Sequence, residues 1–147
     1  MSQPTPDPIT VVNRLHQAWT AHELEAVVAC FHPDYESIHP CHPDRNFKGR
    51  SLIRMSWGAI FESVPDLRAD LCRWAVTGNT VWTEWRWAGK HLDGQSYEAA
   101  GIIIFEIEAE HIRRARLYSE TLQSAGLDWD EMLTGLLERI YKGPALS

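Results

Sequence analysis

The segment at residues 98–122, EAAGIIIFEIEAEHIRRARLYSETL, ends in a phenol and a carboxylate, Tyr118 and Glu120. A carboxylate in an apolar cavity has a raised pKa, because burial disfavours its charged form, and it can then act as a general acid or base near neutral pH. Tyr118 would be its acid partner. The alternative is a strand-end carboxylate paired with Arg114 or Arg116, beside a packed tyrosine ring with a solvated hydroxyl.

The same segment predicts two long antiparallel strands joined by a tight turn at residues 109–110. The isoleucine-rich run of the first strand is typical of a strand buried on both faces. A two-residue turn would place Gly101 opposite Tyr118. It would likewise place Ala99 opposite Glu120. Two small residues facing a phenol and a carboxylate predict room for a ligand, although a single bulge would shift this pairing by one residue.

A second polar group follows a short predicted strand, in the loop HPCHPDRNFKGR that begins at His39. Histidine titrates where enzymes work, so His39 could shuttle a proton or orient Glu120. The alternative is a strand-end histidine bonded to a backbone carbonyl. Other possible metal ligands lie nearby: His32, Asp34, Cys41 and His42. Their spacing matches no zinc pattern, and the prolines among them favour an extended loop with diverging side chains, so we expect no metal.

Seven tryptophans in 147 residues favour an aromatic-lined cavity or interface. Three of them, Trp82, Trp85 and Trp87, lie on one predicted strand, with Trp82 on the face opposite the other two. We expect Trp85 and Trp87 to face inward and the opposite face to contact a second copy of the chain. Strict pairing through the Asp-Gly turn at residues 93–94 would instead direct that opposite face toward Glu120.

The remaining elements predict one α+β domain, with helices gathered on one face of an antiparallel sheet. In chain order we expect a mobile arm at residues 1–6, helices at 8–20, 23–30 and 50–64, strands at 35–38, 67–76, 80–90, 96–108 and 111–120, and a closing helix at 128–141. The third helix carries Trp57 and Phe61 on its apolar stripe. The closing helix could cover the mouth of the cavity or another subunit.

Composition excludes several classes of protein. The net charge of −6, without a cluster of lysine and arginine, argues against nucleic acid as a partner. No segment has enough consecutive apolar residues to span a membrane. Three cysteines without a paired spacing favour the reducing cytoplasm. We find no nucleophile elbow, phosphate-binding loop or dinucleotide fingerprint, and we expect no cofactor.

Four stretches resemble the SnoaL-like, polyketide cyclase-like group of the NTF2-like superfamily: FHPDYESIHP, FKGRSLIRMSWGAIFESVPDL, WRWAGKHLDG and GIIIFEIEAEHIRRARLYSET. Together they cover nearly the whole chain up to residue 126. The resemblance implies a cone, in which a curved antiparallel sheet wraps over the N-terminal helices. This superfamily includes polyketide cyclases, ketosteroid isomerase and limonene-epoxide hydrolase, and it hosts unrelated activities on one fold.

The resemblance assigns a role to several positions. Glu120 lies where the cyclases and the epoxide hydrolase have an aspartate base, and His39 lies where the isomerase has its proton-shuttling aspartate. Trp57 replaces a pocket tyrosine, and its indole N–H could hold a ligand carbonyl. His91 resembles the histidine of a GTH segment in SnoaL-like proteins. Ile103 replaces the oxyanion-hole aspartate of the isomerase, which argues against steroid isomerisation.

Trp85 and Trp87 replace the arginine and aspartate of the epoxide hydrolase, which argues against its route of epoxide opening. We therefore expect cofactor-free acid/base chemistry on a small apolar or aromatic molecule: cyclisation, isomerisation, dehydration or hydrolysis. The expected substrate-binding residues are Trp57, Trp85, Trp87, His91, Phe61 and Ile103, and the expected catalytic residues are Glu120, His39 and Tyr118. The alternative is a non-catalytic binder or an accessory subunit that uses the same cavity. A homodimer is expected in either case.

Overall fold

The computed structural model of the protein describes residues 7–123 and 125–142. Its helices are α1 (Pro8–Ala21), α2 (Leu24–Ala29), α3 (Ser51–Ser63) and α4 (Trp129–Lys142), and its strands are β1 (Phe31–Ile38), β2 (Phe47–Lys48), β3 (Arg68–Thr77), β4 (Thr80–Lys90), β5 (Ser96–Glu108) and β6 (His111–Thr121). The predicted arm at residues 1–6 lies outside the described residues. No helix in the described ranges is both long and apolar enough to cross a membrane.

The six strands form one curved, unclosed sheet in the order β2-β1-β6-β5-β4-β3. Neighbouring strands are antiparallel except for β1 and β6, which are parallel. One buried cluster joins Leu15 and Trp19 of α1, Val27 of α2 and Ile53 of α3 to Phe105 of the sheet. Burial of this apolar surface holds α1, α2 and α3 on the inner face of the sheet. The predicted α+β fold is therefore confirmed.

A bulge in the β5–β6 hairpin changes the predicted register. Ala109 and Glu110 form the expected two-residue turn with φ values of 48° and 67°, and Glu108 pairs with His111. Between that turn and Glu106 the pairing shifts by one residue, so that Glu106 faces Arg114. Arg113 is the extra residue in β6. Because of it, every side chain that follows in β6 lies on the face of the sheet opposite to the predicted one.

The predicted partners of Tyr118 and Glu120 are therefore wrong by one position. Tyr118 lies opposite Ile102, and Glu120 lies opposite Ala100. The two small residues of β5 instead face short polar side chains, with Gly101 opposite Ser119 and Ala99 opposite Thr121. The room that the sequence predicted is present, since Ala99, Ser119 and Thr121 border a cavity.

The β4–β5 connection decides which tryptophans face inward. Lys90 pairs with Ser96, so the loop has five residues rather than the two of a strict Asp-Gly turn. This register directs Trp85 and Trp87 into the core, where they are 0% and 6% exposed. Trp82 lies on the outer face and is 49% exposed. The five-residue loop thus gives Trp85 and Trp87 the inward orientation that we predicted from the sequence.

Helix α4 begins one residue later than predicted, after a cap in which the Asp128 carboxylate accepts a hydrogen bond from the Glu131 N–H at 2.8 Å. None of its residues is buried. An apolar stripe repeats at helical spacing along it: Trp129, Leu133, Leu136 and Ile140. The helix therefore exposes an apolar face to solvent.

Candidate functional site

Two adjoining cavities lie on the inner side of the sheet. The first, of about 350 Å³, is lined by aromatic side chains that include Trp19, Tyr35 and Phe105, and is called the aromatic lobe here. The second, of about 370 Å³, is bordered by Glu120 and Trp87 and is called the Glu120 lobe. Five residues border both lobes: Arg45, Trp57, Ile60, Ile103 and Leu117. Cavities of this size and apolar character are typical of small-molecule sites.

Strand β1 sends three polar side chains toward the aromatic lobe. Tyr35, Ser37 and His39 alternate along the strand and its end, so all three lie on one face. The Ser37 hydroxyl and Nε2 of His39 are 3.1 Å apart, within hydrogen-bond distance. Burial raises the pKa of Tyr35, and a hydrogen bond with Ser37 opposes that shift. Tyr35 therefore remains a neutral phenol at neutral pH.

The loop after β1 folds back on itself. Oδ1 of Asn46 accepts a hydrogen bond from the His39 N–H at 2.6 Å, and the His42 N–H donates to the His39 carbonyl at 2.9 Å. A single 3-10 turn, Pro43–Arg45, completes the loop. This closed loop brings His42 and Arg45 to the far end of β6, because β1 and β6 run parallel.

Glu120 lies at that end of β6 and is held by the loop. Its Oε1 lies 2.5 Å from Nε2 of His42 and 3.4 Å from Nη1 of Arg45. The side chain is 53% exposed. The expectation of a desolvated carboxylate is therefore wrong, because the bulge places Glu120 in the outward-facing row with Ala100 and Arg86. Its carboxylate nevertheless reaches the border of the Glu120 lobe.

Arg114, one of the two alternative partners predicted for Glu120, is paired with other carboxylates. Arg114 donates to Glu36 at 3.2 Å and to Glu106 at 3.0 Å on the outer face. The Arg114 guanidinium, as the main cause, holds the pKa of Glu36 below its usual value.

His39 has a lowered pKa, chiefly because burial disfavours the charged imidazolium. The positive charges of Arg45 and His42 lower this pKa further, whereas the Glu120 carboxylate raises it. His39 is therefore a neutral imidazole at neutral pH, able to accept a proton at one ring nitrogen.

The structure brings three further predicted residues to the cavity. Trp57 and Ile103 border both lobes, and Trp87 borders the Glu120 lobe. Trp57 packs against Trp19 with ring centroids 4.7 Å apart. Ile103 gives the wall an apolar surface at the position where the resemblance implies an aspartate.

Four predicted residues border neither lobe. Tyr118 lies on the outer face and is 44% exposed. Trp85 is fully buried, and its Nε1–H donates to the Thr83 hydroxyl at 2.6 Å. His91 packs edge-on against Tyr97, and Phe61 stacks on His22 with centroids 4.8 Å apart. Trp85, Phe61 and His91 therefore lie behind the wall, whereas Tyr118 is separated from the cavity by the sheet.

Several site residues were not predicted: Arg45, His42, Tyr35, Ser37, Ser119 and Thr121. Alternation from His39 along β1 would have identified Tyr35 and Ser37. Ser119 and Thr121 were missed because the predicted register placed Tyr118 and Glu120, rather than these two residues, on the inner face of the sheet.

Within residues 7–123 and 125–142, no group of three or more histidine, cysteine, aspartate or glutamate side chains is arranged to hold a metal ion.

Comparisons with known proteins identify the family and the fold. The SnoaL-like domain family matches residues 12–115. No curated protein matches the chain. IdmH from Streptomyces antibioticus, a putative polyketide cyclase, is 18% identical with a TM-score of 0.67, covering 89% of this chain and 99% of IdmH.

Two other solved structures are similar over most of the chain. A putative SnoaL-like polyketide cyclase from Jannaschia sp. CCS1 is 17% identical with a TM-score of 0.65, covering 98% of this chain and 99% of that one. AclR from Streptomyces galilaeus, a putative hydroxylase, is 12% identical with a TM-score of 0.66, covering 98% and 87%. Identities this low support a shared fold, whereas the family match extends over most of the sequence. The chain therefore belongs to the SnoaL-like domain family and has the NTF2-like fold.

Proposed function

We propose that the protein binds a small, largely apolar cyclic or aromatic molecule in the two-lobed cavity and performs acid/base chemistry on it without a cofactor. The observation that carries this proposal is the placement of a carboxylate, Glu120, and a neutral imidazole, His39, at two adjoining lobes that share an apolar wall. A general base and a proton partner next to a bound carbon acid are the requirements for proton abstraction.

In this proposal Glu120 takes a proton from an activated carbon or from a water, the neutral His39 imidazole accepts that proton from the Glu120 carboxylic acid, and the resulting imidazolium returns it to the product. The loop that holds His42 and Arg45 fixes the carboxylate at the border of the cavity. The Ser37 hydroxyl orients the His39 ring. Trp57, Trp87 and Ile103 surround the apolar rings of the substrate. Tyr118 has no role in this mechanism, because it lies on the outer face.

The reaction class follows from this chemistry and from the relatives. Aldol cyclisation, isomerisation, dehydration and hydrolysis all begin with a proton abstracted by a base of this kind. Two similar structures are named as putative polyketide cyclases, which favours ring closure of a ketone-bearing substrate.

Proton abstraction can be tested with 2-tetralone, a bicyclic ketone whose C1 protons are acidic. In D₂O we expect the protein to accelerate exchange of these protons, because Glu120 removes one to give the enolate and a deuteron from solvent replaces it. Glu120→Gln is expected to reduce the protein-dependent rate by about 10²-fold or more. NMR integration of the C1 signal measures the rate.

The control is Glu84→Gln, which removes a half-exposed, ion-paired carboxylate on the outer face. It should leave exchange unchanged. Equal rates for the Glu120→Gln variant and the unaltered protein would contradict the role of Glu120, and a Glu120→Gln variant that no longer binds 2-tetralone would assign it to binding instead.

A second candidate function is binding without catalysis. It is favoured by one observation: the Glu120 carboxylate is half exposed and already held by His42 and Arg45. A carboxylate oxygen that is already bound by two neighbouring side chains is less available to accept a proton from a substrate. Binding of 2-tetralone with no exchange above the buffer rate would favour this candidate.

We also propose that two copies of the chain associate through the outer face of the sheet. Trp82 and Tyr118 expose 49% and 44% of their surface there. Exposed aromatic side chains of this kind are enriched at protein interfaces. The three cysteines are all free, which supports the reducing cytoplasm as the proposed location.

The outer-face interface predicts a dimer in solution that Trp82→Glu converts to monomer, because a carboxylate buried at the centre of an apolar interface is costly. Light scattering during size-exclusion chromatography measures the mass. Leu92→Glu is the matched control, since Leu92 is 79% exposed in the β4–β5 loop. A monomeric unaltered protein, or a dimer that survives Trp82→Glu, would reject this interface.

A further inference from the structure

Helix α4 carries an apolar stripe that the described part of the chain leaves in water. Its four members, Trp129, Leu133, Leu136 and Ile140, expose between 48% and 75% of their surface. None of the residues of α4 is buried. A helix of 14 residues is marginal in water unless its apolar side packs against a partner. The stripe therefore indicates a surface that another element covers.

The spacing of the stripe is that of a contact with one other helix. Its members follow one another at intervals of four, three and four residues, which places them along the seam between two packed helices. Met132 and Leu137 border the seam, one on each side. The opposite side of α4 is mostly polar, with the residues Glu131, Thr134, Glu138 and Lys142. The stripe therefore has room for a single partner helix.

A second copy of α4 matches this seam. The intervals of four, three and four residues are the same in both directions along the helix, so an antiparallel copy can meet all four positions. Trp129 then faces Ile140 of the second copy, and Leu133 faces Leu136 of the second copy. Every residue of the stripe finds an apolar partner, and a two-fold axis relates the helices, as is usual between identical chains.

The charges of α4 favour the antiparallel orientation. The first turn is acidic, with Asp130 and Glu131, and the last turn is basic, with Arg139 and Lys142. Antiparallel packing places the acidic end of each helix beside the basic end of the other, and it also opposes the two helix dipoles. A parallel pair would bring like charges together. Because α4 has three acidic and two basic residues, we expect no attraction to an anionic membrane surface.

We propose that α4 forms a second contact between two copies of the chain, through antiparallel packing of the two α4 helices along Trp129, Leu133, Leu136 and Ile140. The contact is short, because a helix of 14 residues spans only about 21 Å. It therefore acts together with the outer face of the sheet, which holds the two helices at a high effective concentration. This inference rests on the proposed dimer and is independent of the proposed catalysis.

Leu136→Glu tests the contact, because it places a carboxylate in the middle of the seam. We expect the dissociation constant of the dimer to rise by about thirtyfold or more, as for a central interface residue. Sedimentation equilibrium over a dilution series measures this constant. Thr134→Glu is the matched control, since it adds the same charge on the polar side of α4 and should leave the constant unchanged. An unchanged constant in Leu136→Glu would overturn the inference.

Spin labels provide a second readout, which reports the orientation of the helices. One label per chain is attached at Thr134→Cys or at Tyr141→Cys, in protein whose exposed Cys41 and Cys72 are replaced by serine. The two sites are seven residues apart and project from the same side of α4. In the antiparallel pair the two copies of residue 134 lie almost level, whereas the two copies of residue 141 are separated by about 20 Å along the helix axis.

Double electron–electron resonance measures the distance between the two labels of a dimer. We expect this distance to be longer at residue 141 than at residue 134 by about 10 Å. Equal distances at the two sites would mean a parallel pair, and distances too long or too broad to measure at both would mean no pair. Either result would overturn the inference.

The outcomes separate the helix pair from the outer-face interface. A dimer that is lost in Trp82→Glu and weakened in Leu136→Glu supports both contacts. Loss in Trp82→Glu without weakening in Leu136→Glu keeps the outer face and removes the helix pair, and the reverse pattern removes the outer face. A monomeric unaltered protein removes both. Exchange of the 2-tetralone protons enters none of these outcomes, so the proposed activity is tested separately.

Discussion

Replacing Gly101 with alanine is expected to prevent formation of the native sheet. Gly101 lies in the middle of β5 with a φ of +156°, opposite Ser119 of β6. A Cβ atom added there would overlap the Tyr118 carbonyl oxygen and the Ser119 Cα. Both are backbone atoms of the neighbouring strand, so no side-chain rotation relieves the overlap. We expect a loss of more than about 4 kcal/mol in the free energy of unfolding.

Urea unfolding followed by far-ultraviolet circular dichroism measures this loss. Gly78→Ala is the matched control, because Gly78 also has a positive φ, +61°, but a Cβ there has nothing within 4 Å. Backbone conformation alone should cost this control about 1–2 kcal/mol. Equal losses in both variants would show that strain, rather than the close approach of β6, determines the result.

The β5–β6 hairpin illustrates what the sequence can and cannot predict. The isoleucine run and the position of the turn were correct, because they depend on local periodicity. The bulge was missed because it depends on distant contacts: Arg113, the residue skipped in the pairing, donates to the Asp34 carbonyl at 2.6 Å. That contact joins β6 to β1 across 79 residues of sequence.

Only part of the candidate site could be predicted, because some of its contacts do not follow from the local sequence. His39 follows from a polar residue at a strand end and from the family resemblance. The partners of Glu120 do not, because the prolines of the loop favoured an extended conformation with diverging side chains. A hydrogen bond from the His39 N–H to the Asn46 side chain closes that loop and directs His42 toward Glu120. A side-chain acceptor seven residues away cannot be inferred from local propensity.

Thr83→Val is expected to destabilise the protein by about 3 kcal/mol although it preserves side-chain shape. Thr83 is buried, its hydroxyl donates to the Ile103 carbonyl at 2.6 Å, and it accepts from Nε1 of Trp85 at the same distance. Valine removes both bonds and leaves the Trp85 indole N–H unpaired, because Trp85 is fully buried and no water can replace the hydroxyl.

The matched variant Thr83→Ser keeps the hydroxyl and removes one methyl group, so it should lose only about 1 kcal/mol. Urea unfolding compares the two, and the Trp85 indole proton should move upfield in Thr83→Val alone. Similar losses in both variants would mean that packing around Thr83, rather than its hydrogen bonds, stabilises the core.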